Sequence, residues 1–164
     1  MVKNTGLLST IYRHGGAVGR SVSTQLGIRL TYAPGATGSY FAGGLTASAV
    51  DIAKMAALLA GDGMYEGERL LSAESVALME TTAFKTASGF WQAMPLRYRE
   101  NMYGRDGIYY HTGSAYGVYN CMSYDPATGD GVVVLTSGAS AATDRYGVYA
   151  VCGSIMDYIY GLMQ

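Results

Sequence analysis

Four residues that could do chemistry stand together at His111-Thr112-Gly113-Ser114. They follow Ile108-Tyr109-Tyr110, side chains that favour extended backbone. An imidazole, two hydroxyls and a glycine in one strand make a row of donors and acceptors. Gly113 has no Cβ, so a ligand can approach the main chain there. After Ala115-Tyr116-Gly117 a second strand spans Val118 to Tyr124, and a third spans Gly131 to Ser137. The spacing predicts an edge strand lined with donors beside an antiparallel meander. Such an edge can take an extended acyl or peptide-like chain as an added strand.

Other candidates are weaker. Thr82-Ala-Phe-Lys85 has a hydroxyl and an amine at nucleophile-like spacing, but it trails a helix. His14, in His-Gly-Gly, reads as a loop residue. No Gly-x-Ser-x-Gly elbow occurs, which argues against an alpha/beta-hydrolase site. Cys121 and Cys152 are too few for a framework or a metal site. They read as small buried hydrophobes, and no cofactor is expected.

The elements around the tetrad follow from capping and periodicity. Ser48 and Asp51 form a capping box, with the carboxylate also favoured by the helix dipole. Ile52, Met55, Leu58 and Leu59 then share one face, and Gly61 and Gly63 end the helix. Ser72 caps a second helix to about Thr82, anchored by Val76, Leu78 and Met79. Lys85 to Arg105 shows no periodicity and reads as a long connection with some structure of its own. Asp144 to Leu162 reads as a closing helix with Val148, Val151, Ile155, Tyr158 and Ile159 as its apolar stripe. Leu7, Leu8, Ile11 and Tyr12 fall at helical spacing, and Gly15-Gly16 would stop a short helix there. Arg20 to Pro34 reads as extended or loop. The fold of residues 1–39 is left open.

The expected fold class is therefore α/β (α+β): a helical pair, an antiparallel three-strand meander and a C-terminal helix packed on it. At 164 residues a single domain is expected. A net charge of −1 gives no electrostatic case for nucleic acid. No apolar run approaches the ~20 residues of a membrane span. Met1 to Ser9 is too polar and short for a secretory signal. Abundant Gly and Tyr with few charges suits an extracytoplasmic protein, whether periplasmic, cell-surface or secreted.

Two blocks together carry a resemblance. One is Ala42-Gly-Gly-Leu45, Ser48-Ala-Val-Asp51-Ile-Ala-Lys54 and Gly-Met-Tyr-Glu-Gly-Glu-Arg69-Leu-Leu-Ser72. The other is His111-Thr-Gly-Ser114, the strand ending at Asp125-Pro126, and Val132 to Ser137. In this order they resemble the serine beta-lactamase and penicillin-binding protein family. The closest branch is that of class C beta-lactamases, D-alanyl-D-alanine carboxypeptidases and related esterases. The resemblance covers about residues 40–160, and 40–164 would be the C-terminal part of such a domain.

It implies hydrolysis of a beta-lactam, D-Ala-D-Ala peptide or ester through an acyl-enzyme. His111-Thr112-Gly113 matches the third motif of that family. The Thr112 hydroxyl would bind a substrate carboxylate, and the Ser114 main-chain N–H would be one oxyanion-hole donor. His111, near its ordinary pKa of ~6.5, would be mostly neutral at pH 7. However, no serine is followed three residues later by lysine, and Tyr-x-Asn and Ser-x-Asn are absent. The nucleophile half is thus expected to be missing, leaving this chain inactive alone. The alternative is a non-catalytic module that binds a peptide-like ligand or a partner chain. In the family the last strand of the meander pairs with strands from the N-terminal segment. The 132–136 edge is therefore expected to self-associate or to take that segment.

Overall fold

The computed structural model describes Thr10–Arg13, Gly16–Ser21 and residues 47–163 except 116 and 138. Two helices precede the main sheet. Helix α1 (Ala49–Ala60) opens on the Ser48–Asp51 capping box, and the C-cap Gly61 N–H returns to the Ala57 carbonyl. A two-stranded ribbon, Met64–Tyr65 with Glu68–Arg69, leads to α2 (Ala73–Glu80), capped by Ser72.

The body of the molecule is a six-stranded antiparallel sheet. In chain order its strands are β1 (Phe84–Lys85), β2 (Trp91–Gln92), β3 (Arg97–Met102), β4 (Arg105–Ala115), β5 (Val118–Tyr124) and β6 (Gly131–Val134). Spatial order follows chain order, so this is a pure meander with β6 at one edge and β1 at the other. Helix α3 (Ala150–Leu162) closes the described fold. The mixed α/β class and the C-terminal helix on the sheet are as the sequence predicts.

Alternation along the strands divides the core into two layers. On one face Ile108, Tyr110, Cys121, Val132 and Val134 pack beneath Cys152, Met156 and Tyr160 of α3. On the other, Tyr109, Met122 and Tyr124 pack against Leu59 of α1 and Val76 of α2. Both cysteines are free and buried.

Four expectations change. The connection from Lys85 to Arg105 holds three of the six strands. Two of these are only two residues long, too short for a periodic signal. The third alternates, but it carries Arg97 and Arg99 on its α3 side, their guanidiniums over the rings of Phe90 and Tyr146. Charge there hides a half-buried strand, because the long stems pack while the heads find π-faces.

The closing helix starts at Ala150, not Asp144. Asp144 instead shapes a loop: its Oδ1 accepts the N–H groups of Tyr146 and Val148, and its Oδ2 accepts the Tyr103 hydroxyl at 2.5 Å. The last strand stops at Val134. Thr136 then bonds β5 through side chains, its N–H reaching Asn120 Oδ1 at 2.9 Å. Finally, the helical spacing read across Ile11 and Tyr12 fails. Thr10–Arg13 is a strand paired antiparallel with Gly16–Ser21. Leu7, Leu8, His14 and most of residues 1–39 lie outside the described residues.

Candidate functional site

Strand β4 is longer than its neighbour on one side. Its first half pairs with β3 as far as Arg97 opposite Tyr110, whereas its pairing with β5 continues to Ala115 opposite Val118. Among the described residues, His111 to Ala115 therefore has one bonded edge and one open edge.

The hydrogen-bond phase decides which groups face outward. The Tyr119 N–H donates to Thr136 Oγ1, away from β4. Tyr119 is opposite Ser114, so that pair is not a bonded one across β4 and β5. Bonded and non-bonded pairs alternate in an antiparallel ladder. The main-chain N–H and C=O of Thr112 and Ser114 consequently point to the open edge.

Side chains alternate too. His111 and Gly113 look into a cavity of about 600 Å³ on the face that carries α1 and α2. Its walls include Ile52 and Met55 of α1, Met79 of α2, Leu96, Asn120 and Met122. Met55, on the apolar face read for α1, is 49% exposed and lines this groove. Among the described residues, nothing lies within 4 Å of where a Cβ on Gly113 would stand. Thr112 and Ser114 project on the α3 side of the sheet. There the Arg97 Nη1 donates to Thr112 Oγ1 at 3.1 Å, and the guanidinium carbon stands 4.7 Å from the Phe90 ring centre.

Electrostatics follow from this arrangement. The groove wall partly desolvates His111, and Arg97 adds a positive charge nearby. Both hold its pKa below the ordinary 6.5, with desolvation the larger cause. The imidazole is thus neutral at pH 7. The positive charge beside the tetrad is the Arg97 guanidinium, a planar fork of donors. In the sequence Arg97 falls inside the aperiodic stretch from Lys85 to Arg105 and nothing local singles it out. A usable signal was there: Arg-Tyr-Arg alternates with period two, and a strand at 97–102 would hairpin onto 105–110.

The structure thus brings His111, Thr112, Gly113 and Ser114 onto one open strand and adds Arg97. Lys85 of the Thr82–Lys85 candidate is engaged elsewhere, 3.1 Å from Glu100 Oε2 and over the Trp91 ring. No cluster of His, Cys, Asp or Glu among the described residues could hold a metal ion. No described helix is long and apolar enough to cross a membrane.

No family model, no curated protein and no solved structure matches this chain.

Proposed function

We propose that this chain is the substrate-recognition part of a beta-lactamase-related serine hydrolase, acting on a beta-lactam, D-Ala-D-Ala peptide or ester in its parent protein. The observation that carries the reading is the open edge of β4, where, among the described residues, no strand pairs with the outward main-chain groups of Thr112 and Ser114 beside the Arg97–Thr112 pair. An extended ligand lies along that edge as an added strand. Its carboxylate accepts from the Arg97 guanidinium and the Thr112 hydroxyl, charge-assisted bonds about twice as strong as neutral ones. The Ser114 N–H faces an acyl carbonyl oxygen and would stabilise an oxyanion there. His111 acts as a neutral donor or acceptor at the groove side. An extracytoplasmic location goes with this reading.

The chemistry needs a nucleophile that the chain does not supply, since no Ser-x-x-Lys occurs in it. Nucleophile and base act as a unit, so binding without turnover is expected of this chain alone. The same open edge favours a second reading, a non-catalytic module for peptide-like ligands. The partner reading concerns the opposite edge of the sheet, at 132–136.

The test is an NMR titration of the isotope-labelled chain with an acyl-D-Ala-D-Ala peptide, its C-terminal amide and a penicillin. Shifts centred on the Thr112 and Ser114 amides, stronger for the free carboxylate than for the amide, are expected. A chromogenic cephalosporin should not be turned over. No shift at these amides with any ligand sinks the site. Saturable hydrolysis or a covalent adduct sinks the claim that the chain only binds.

A further inference from the structure

Neither the edge strand β6 nor one flank of α3, the helix packed over it, carries a charged residue. The phase of the sheet again fixes the main chain. Tyr119 and Asp125 direct their N–H groups toward the β6 side, the latter to the Asp130 carbonyl at 2.8 Å. Ser123 opposite Val132 and Cys121 opposite Val134 are then bonded pairs. The N–H and C=O groups of Gly131, Val133 and Leu135 therefore point away from the sheet. Among the described residues no strand pairs with them.

Helix α3 packs over β5 and β6. One of its flanks leans toward the start of β4. Tyr160 meets Arg105 there, and Gly153 lies against Tyr103 and Asp144. The other flank overhangs β6. On it Val151, Ile155, Tyr158 and Leu162 recur at steps of four, three and four, the spacing of a helix–helix seam. Tyr158 and Leu162 are 69% and 68% exposed. The one charge in this helix, Asp157, is on neither the seam nor the core side.

We propose that this surface pairs with a second copy of the chain about a twofold axis through Val133. Antiparallel self-pairing puts Val133 opposite its own copy and Gly131 opposite Leu135 of the copy. All three are residues whose main-chain groups face outward, so the ladder closes in phase. The exposed Leu135 side chain then lies across from a residue with none. Val132 meets Val134 of the copy beneath the two α3 helices and extends the buried valine layer. A twofold interface sets a patch against itself, which tolerates no net charge on it. Gly131 to Leu135 and the α3 seam carry none. Strand pairing alone is small against the roughly 1,200 Å² of a stable interface, and the two seams add the remaining contact.

The inference stands on the sheet edge and α3, not on the ligand reading, so either can fail alone. The experiment is sedimentation of the full chain at tens of micromolar, with amide exchange. A dimer with protected Val133 and Leu135 amides is expected. Val133→Lys and Val133→Glu should each be monomeric, because like charges would face one another. Mixed in equal amounts, they should dimerise again, a rescue specific to pairing at this residue. Leu162→Glu, at an exposed site, should weaken the dimer and leave the monomer fold intact by circular dichroism. A monomeric wild type overturns the proposal, with or without protection at Val133 and Leu135. So does a dimer indifferent to Leu162→Glu, or two folded Val133 variants that fail to rescue each other.

Discussion

A guanidinium that touches a threonine hydroxyl at 3.1 Å and rests on a phenyl ring is already oriented before any ligand arrives. That orientation makes Arg97 the residue whose loss should cost most in carboxylate binding. Hydrogen bonds to charged groups contribute about 1.5–3 kcal/mol each. Arg97→Ala should therefore weaken a carboxylate ligand by roughly 10–100-fold, read by calorimetry, and leave its amide analogue almost unaffected. Arg97→Lys should recover only part, since a compact ammonium cannot reproduce the planar fork. If the edge binds a carboxylate as proposed, His111 should set its pH response. Its pKa lies below 6.5, so protonation adds a second positive charge only on acidification. Affinity for a carboxylate should rise as pH falls through that range, until the ligand carboxyl itself protonates near ~4. His111→Gln should flatten the rise. The tetrad was legible in the sequence as a strand with donors. Arg97 was not, because its partner Thr112 is fifteen residues away and only strand pairing joins them.

At the scale of elements, the legible parts were those whose signals are local. The Ser48 capping box and the Ser72 cap are short-range bonds written within four residues, and α1 and α2 begin where those residues place them. The start of α3 was misplaced because its determinant is tertiary. Asp144 bonds two nearby amides and the distant Tyr103 hydroxyl, holding residues 144–149 out of the helix. Gly153 is part of that arrangement. A Cβ on it would collide with Asp144 Oδ2 and stand 2.7 Å from the Tyr103 oxygen. Although alanine is the better helix former, Gly153→Ala should destabilise the fold. Burial and Asp144 together push the Tyr103 hydroxyl far above its usual pKa, so it is a fixed donor. Overpacking costs about 1–3 kcal/mol, and displacing this bond adds to that. Thermal unfolding should show a clear drop, and Tyr103→Phe in the same background should recover part of it by making room.

Across the whole molecule, one buried cation joins parts far apart in sequence. Arg105 opens β4. Its Nη1 lies 2.9 Å from Asp130 and 3.4 Å from Asp125, in the β5–β6 turn, and its Nη2 donates to the Tyr160 carbonyl in α3. Its side chain is 8% exposed. Removing one member of a buried pair typically costs about 3–5 kcal/mol, because the other charge is left unpaired. Arg105→Met should lose stability of that order in urea unfolding. The triple variant with Asp125→Asn and Asp130→Asn should recover most of it. Sequence reading placed Arg105 at the end of a connection, since nothing local marks an arginine as interior. The meander itself was half legible: its last three strands are long enough to announce themselves, and its first three are short or carry charge.

The two sides of β4 are different solvents. Above Gly113 lies an apolar cavity, and behind Thr112 a guanidinium stands on an aromatic ring. A chain lying along this edge has its substituents sorted to one side or the other by the handedness of each of its carbons. Inverting one centre exchanges the medium its substituent meets, sending a methyl toward a guanidinium or a carboxylate toward methionines. A ligand held on this edge would therefore be distinguished from its mirror image by polarity and not by shape alone. A D,D-dipeptide acid and its L,L twin should differ in affinity, and the difference should shrink when Arg97 is replaced by methionine, which makes the two sides alike.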